Sequence, residues 1–396
     1  MEGLLAATHD VLAAAWGRPV RLGEVSLLTS RARNDVLRAH VAETMPGLPA
    51  SVVIKRFTEQ PERGLAEWAS LQFLTDLGLD PPLAPRFVGG DVRARVLLQE
   101  DLDEGTTLET FLQGHDPGAA EEALVRVARL VARMHAASLG RAADYERLRG
   151  RLAPRGDTTL GEAAAAFRRG RGAVEHWLYA TRAQPWQGFA RDYEAVARGI
   201  EAPGPFLAFT HGDLTPSNVL FTGAGVRLLD FEYGGARSAL YDTLFWTLYC
   251  PFPAALIARV DEGYRRELMA ACPAAAENAA YRRERSQVMA WRTLSLLQWL
   301  SPALLEADRE WAPGMTARQA VLWHLDRTLE VMERVETLQD ITGTLERLAG
   351  RLGPRWAAEM DRMFVWPAFH ALKRGASGES NRPGMNPGPT PDVIRM

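Results

Sequence analysis

Lysine is nearly missing from this chain: of 46 basic residues only Lys55 and Lys373 are lysine, and the rest are arginine. Such a skew follows the base composition of a GC-rich genome and excludes no function, but it makes a retained lysine worth explaining. Lys373 sits in a polar tail where chance accounts for it, whereas Lys55 closes a β-type run, "SVVIKRF". Cysteine is scarce too. Cys250 and Cys272 are the two present, in separate helical-looking stretches and without histidines at metal-ligand spacing, so free thiols in a reducing compartment are expected. An excess of one charge is also lacking. A net charge of −3 argues against a nucleic-acid or membrane-surface partner. No apolar run approaches the roughly 20 residues of a membrane span. The segment "MEGLLAATHDVLAAAWGRP", broken by His9 and Asp10 and without a basic start, reads as an amphipathic helix. The expected setting is cytoplasmic.

What is present is ordinary in bulk: 396 residues, 47% hydrophobic and 24% charged, which suits a globular chain of two or three compact units. After the opening helix, "VRLGEVSLLT", "NDVLRAHVA" and "ASVVIKRF" are short aliphatic runs divided by turn signals, as in a small antiparallel sheet. "ERGLAEWASLQFLTDL", from Glu62 to Leu77, follows with apolar residues at helical spacing and stops at Gly78. "ARVLLQEDL" returns to a strand, and "DEGTTLETFL" turns into a short helix. From about Gly118 helical periodicity dominates, interrupted at 205–235 by short strands around "THGDLTPSNVLF" and "RLLDFEYGG". It then resumes through "YDTLFWTLYC", "ARVDEGYRRELMAAC", "RSQVMAWRTLSLLQWL" and "ARQAVLWHLDRTLEVMERVETL". The pattern predicts an α+β chain: a β-rich lobe over residues 1–101, a helical lobe over 102–374 holding a short hairpin, and a Gly/Pro/Ser/Asn-rich disordered tail over 375–396. A crevice between lobes is a usual place for a small ligand.

The hairpin carries the chemistry. Asp213 ends "HGD", Asn218 follows five residues later, and Asp230 lies twelve beyond that. Singly, each reads more readily as a turn residue. Together they supply what phosphoryl transfer to a hydroxyl requires: a carboxylate beside the incoming hydroxyl, and an amide and a carboxylate oxygen suited to magnesium. Pro216 stiffens the loop and Gly212 permits close backbone approach. His211 reads as a loop-orienting residue.

These motifs resemble the aminoglycoside phosphotransferase and choline kinase family, a branch of the bilobal protein-kinase-like fold, whose signature is His-Gly-Asp, a four-residue gap, Asn, and a later Asp in a Leu-Asp-Phe-Glu context. The resemblance runs in element order over about residues 20–335 and leaves the acceptor open. It implies Asp213 as catalytic base and Asn218 and Asp230 as magnesium ligands. It implies Lys55 on the nucleotide phosphates, where arginine replaces a compact ammonium poorly, and Glu67 as the partner of that lysine. The backbone from Glu100 to Leu102 would receive adenine, His135 would be architectural, and Asp242 would brace the catalytic loop. The implied activity is an ATP- and magnesium-dependent kinase acting on a small-molecule hydroxyl. A nucleotide-binding pseudokinase scaffold is the alternative. One departure stands out: Thr29 to Val36, where the phosphate-covering turn is expected, has no glycine, and this admits GTP as an unusual donor. For the acceptor, Trp246, Tyr249, Trp291, Trp299 and Trp323 are candidates for an aromatic wall suited to a choline-like cation, although tryptophans at helical spacing also serve as core. Oligomeric state is not legible.

Overall fold

The structure, a computed structural model, describes residues 2–30, 32–43, 47–102, 104–153 and 157–370. The tail expected over 375–396, and Lys373 before it, lie outside the described residues. The first helix, α1 (Glu2–Trp16), precedes a five-stranded antiparallel sheet. Its strands are β1 (Leu22–Ser30), β2 (Asn34–Val41), β3 (Ser51–Phe57), β4 (Phe87–Asp91) and β5 (Val96–Glu100), in the order β1-β2-β3-β5-β4, with α2 (Pro61–Asp76) between β3 and β4. Strand alternation decides which way each residue of β3 faces. Val52 and Ile54 join Leu98 and Val96 of β5 in a small core capped by Leu4, Val11 and Leu12 of α1. The odd-numbered set turns the other way, with Phe57 and Leu97 packed against Trp68, Leu71 and Leu74 of α2. Lys55 shares that face, so the period of two delivers its ammonium to the side of the sheet that meets the rest of the molecule.

Beyond β5 come β6 (Thr106–Thr107), α3 (Leu108–Gln113) and the long α4 (Pro117–Ser138), whose start is capped by the Asp116 carboxylate accepting from Gly118 and Ala119 N–H. The interruption at 205–235 consists of β7 (Leu207–Thr210), β8 (Val219–Thr222) and β9 (Gly225–Leu228), followed by β10 (Gly235–Ser238). β8 and β9 form an antiparallel hairpin, and β7 pairs with β10. Helices Ala142–Leu152, Thr159–Arg169, Arg171–Thr181 and Phe189–Glu201 lie between α4 and β7, and Ala254–Leu268, Asn278–Trp299, Ala317–Met332 and Gln339–Leu352 follow β10. One continuous core runs from α2 through α4 into these helices. Two expectations need correction. "YDTLFWTLYC" forms no regular α-helix: a 3₁₀ turn at Ala239–Tyr241 is followed by a five-residue π turn at Phe245–Tyr249, with Pro251 and Pro253 closing off continuation. The last helical run ends at Met332, short of Leu338, and a new helix starts at Gln339 with Leu338 at its N-cap in a left-handed conformation, φ 61°. Among the described residues no helix is long and apolar enough to cross a membrane.

Candidate active site

Asp213 lies in the loop after β7, and that loop is held from beneath. The Asp242 carboxylate accepts the backbone N–H of His211 at 2.7 Å and of Gly212 at 2.9 Å. Asp242 is in turn 3.0 Å from His135 Nε2 on α4, whose Nδ1 lies 2.8 Å from the Tyr264 hydroxyl. Burial alone would raise the Asp242 carboxyl, but His135 and the Gly212 N–H hold it below the usual range. Ser138, also on α4, accepts the Phe209 N–H at 3.0 Å. Two residues expected to be architectural, His135 and Asp242, thus meet directly under the loop. Gly212 has φ +83°, and a Cβ there would stand 2.2 Å from the Tyr233 carbonyl oxygen, so both conformation and space demand glycine.

The His211 ring is fully buried and its pKa is lowered by burial, so it is neutral. Its Nε2–H donates to the Leu229 carbonyl at 2.8 Å, and Nδ1 accepts the Asp213 N–H at 3.3 Å. The ring therefore ties the loop of Asp213 to the residue before Asp230. Asn218 closes the loop from the far side, its Nδ2 donating to the Asp213 carbonyl at 3.2 Å. That bond uses the amide's nitrogen and leaves its oxygen to face elsewhere. Asp230 has φ 63°, a left-handed conformation that Asp tolerates better than most residues, and its side chain is 39% exposed.

The small lobe contributes a cation to this group. Lys55 Nζ forms an ion pair with Glu67 Oε1 on α2 and stands 3.8 Å from Asp230 Oδ1. Glu67 is buried rather than solvated. Burial lowers the Lys55 ammonium pKa, but Glu67 and Asp230 more than offset this and hold it charged. The Phe231 carbonyl accepts from Ser70 Oγ of α2 at 3.3 Å, so the helix of Glu67 and the turn of Asp230 are also tied by backbone. Asp213 responds to the whole group. Burial, then Asp230 and Glu232, push its carboxyl up to about 7, against the pull of Arg292 and Arg33. A carboxyl poised there matches a general base working near neutrality.

Glu100 and Leu102 lie at the join between lobes. The Glu100 N–H donates to the Arg86 carbonyl at 2.8 Å, and its carboxylate accepts the Arg86 N–H at 3.0 Å. Asp101 between them accepts from Arg38 and from Ser51, at 2.6 Å in each case. The strand end is thereby fixed to the sheet.

Sequence reasoning missed three arginines. In the glycine-free hairpin, Arg33 reaches Glu232 at 3.0 Å, and Arg63 of α2 lies 3.7 Å from the same oxygen. Ser30 donates to Asp35 across that hairpin at 2.7 Å, so side-chain bonds fix a turn where glycine is absent. The third is Arg292, which corrects the aromatic-wall expectation. Trp246 is fully buried in the core, and Trp323 donates its indole N–H to the Leu248 carbonyl at 2.7 Å. Tyr249 and Trp299, with Tyr241, surround the Arg292 guanidinium at 5.4, 4.5 and 5.6 Å, while Trp291 packs on Tyr241 at 4.9 Å. The place imagined for a ligand cation is held by the protein's own. In an arginine-rich chain nothing local marks these three.

A small antiparallel sheet with one buried Lys–Glu pair, set over a helical lobe whose loops present Asp, Asn and Asp, is a protein-kinase-like fold. The chain belongs to the phosphotransferase enzyme family, whose family model matches residues 24–271. No curated protein matches the sequence. Similar solved structures include choline kinase LicA from Streptococcus pneumoniae, at 14% identity over 84% of this chain and 98% of that one, TM-score 0.40. A choline/ethanolamine kinase family protein from Mesorhizobium loti shares 17% identity over 88% and 99%, TM-score 0.38. The aminoglycoside phosphotransferase APH(2'')-IIa, solved with streptomycin and ATP, shares 13% over 75% and 92%, TM-score 0.47.

Proposed function

We propose that this protein transfers the γ-phosphoryl group of ATP, with magnesium, to a hydroxyl of a small molecule. The observation that carries the reading is the position of Lys55, paired with Glu67 and 3.8 Å from Asp230, which sets a charged ammonium beside the loops of Asp213 and Asn218. Asp213 accepts the proton as the acceptor oxygen bonds to the γ-phosphorus and the bond to the bridging oxygen of ADP breaks. Lys55 binds the non-transferred phosphates, Glu67 orients Lys55, and the backbone from Glu100 to Leu102 receives the base, with GTP an alternative donor. The residues fit magnesium: the Asn218 amide oxygen is freed by the bond its nitrogen makes, and Asp230 offers an exposed carboxylate. Magnesium takes one or two such oxygens alongside phosphates and water. When bound, it neutralises charge on the phosphates. The division of labour places donor binding in residues 1–101 and acceptor binding in 102–374, and the two buried free thiols accord with a cytoplasmic setting. A scaffold that merely bound nucleotide would not need Asp213, Asn218, Asp230 and Lys55 all four.

The test is ATP turnover and calorimetry on two variants. Asp213→Asn is expected to bind Mg-ATP normally while turnover falls by about two to four powers of ten. Asp230→Ala is expected to lose the magnesium dependence of ATP binding. Unchanged turnover in the first variant would remove Asp213 as base, and retained metal coupling in the second would remove Asp230 as ligand.

A further inference from the structure

We propose that the acceptor hydroxyl belongs to a molecule bearing an anionic group, a carboxylate or a phosphate, and that Arg292 receives that group; this rests on the phosphotransferase reading above. Arg292 projects from helix Asn278–Trp299 and is only 7% exposed. A guanidinium does not deprotonate in proteins, and a buried charge is costly unless paired. Yet Arg292 forms no ion pair with a carboxylate among the described residues, and its Nε has no hydrogen-bond partner. The faces of Tyr241, Tyr249 and Trp299 soften the charge, and the Tyr249 hydroxyl bears on the guanidinium as well, but a neutral hydroxyl does not balance a buried cation.

The surroundings point the same way. The Tyr249 hydroxyl and His324 Nδ1 are also buried without a partner at hydrogen-bonding geometry, and the two rings lie 6.1 Å apart at 25°. Burial and the Arg292 charge push His324 down to about 3, so it stays neutral. The site therefore holds one fixed cation and two neutral polar groups, each with an N–H or O–H to give. Buried groups left unsatisfied call for an explanation, and oxygens of an anion satisfy all three. A cationic acceptor meets the opposite: the aromatic seat is filled by a cation, and Glu232, whose charge reaches Asp213, is engaged by Arg33 and Arg63.

Arg292 is also on the reacting side of the fold, close enough to Asp213 for the two charges to interact.

The experiment uses the full chain with Mg-ADP for binding and Mg-ATP for turnover. The probes are glycerate, malate and 4-hydroxybutyrate, glycerol 3-phosphate, and choline, ethanolamine and kanamycin. Wild type, Arg292→Lys and Arg292→Met are compared by thermal shift and ATP consumption. The expected result is binding and turnover confined to anionic probes, with the carboxylate and phosphate arms showing which anion is preferred. Affinity should weaken about 10- to 100-fold in Arg292→Met, as for loss of a charged hydrogen bond, and less in Arg292→Lys, which keeps charge without the planar fork. Turnover of choline or kanamycin but no anion overturns the proposal, as does anion affinity unchanged in either variant that melts like wild type. Mg-ADP binding with no anionic probe bound overturns it while sparing the phosphotransferase reading; failure of nucleotide to bind at all removes both.

Discussion

Asp213 occupies a place where ionisation is costly, and that cost should be measurable as stability. Its carboxyl is raised to about 7 by burial and by Asp230 and Glu232, whereas in the unfolded chain it titrates near the ordinary value of about 4. Between those two values the folded state binds the extra proton, so this residue's contribution to stability falls as pH rises from about 4 to about 7. At about 1.4 kcal/mol per unit, discounted for partial exposure, the loss is roughly 2–4 kcal/mol. Asn cannot ionise. Asp213→Asn should therefore melt higher than wild type at pH 8 in the absence of nucleotide, with the gap closing by pH 4–5. A gap that is flat with pH, or widest in acid, would show that the carboxyl is not raised. Lys55 raises a different question, whether it survives by chance or by need. Were it incidental, Arg would replace it freely in a chain where arginine fills nearly every other basic position. Its ammonium, however, is enclosed between Glu67 and Asp230, and a longer planar group would displace whatever it holds. A shift of about 1 Å can cost on the order of a hundredfold in rate. Lys55→Arg is expected to fold and to lose most of its ATP-dependent turnover, while Glu67→Ala loses less; wild-type turnover in Lys55→Arg would end the assignment.

At the scale of elements, what was legible followed from local period and local punctuation. The alternation in "SVVIKRF" shows a strand with Lys55 on one face, and the observed β3 spans Ser51–Phe57. The helix read from Glu62 to Leu77 is α2, Pro61–Asp76, because Pro and Gly mark both ends. The loops of Asp213, Asn218 and Asp230 were visible because their residue types and spacing are unusual together. What was not legible depends on contacts distant in sequence. The segment 241–250 has helical composition, yet Asp242 is drawn under the catalytic loop to hold two N–H groups, and the chain tightens and then loosens around that demand. The helix from Ala317 ends at Met332 with neither Gly nor Pro to announce it. Arg292 is one arginine among many, and its meaning arises only where Tyr241, Tyr249 and His324 converge from two other segments.

At the scale of the whole molecule, several polar contacts between the sheet lobe and the helical lobe fall on one short stretch. Lys55 approaches Asp230, Ser70 donates to the Phe231 carbonyl, Arg33 and Arg63 approach Glu232, and Arg63 covers the Tyr233 ring at 4.5 Å. The turn at 230–233 is thus one of the ties between the lobes, and Glu232 couples it to the base. Its negative charge raises the Asp213 carboxyl, whereas Arg33, its partner from the hairpin, lowers it. Removing one or the other breaks the same ion pair but changes the field at Asp213 in opposite senses. Glu232→Gln should move the acid limb of kcat/KM to lower pH, since that limb reports the free enzyme's base. Arg33→Ala should move it to higher pH. If the hairpin of Arg33 covers the nucleotide as proposed, both should raise KM for ATP several-fold, because it is no longer held to the turn of Asp230. A purely mechanical role for the pair predicts the change in KM without any displacement of the pH profile, and so does a base other than Asp213. The pH profiles of the two variants beside wild type decide the matter: shifts of opposite sign support a closure that also tunes the base, and shifts of the same sign, or none, would separate the two.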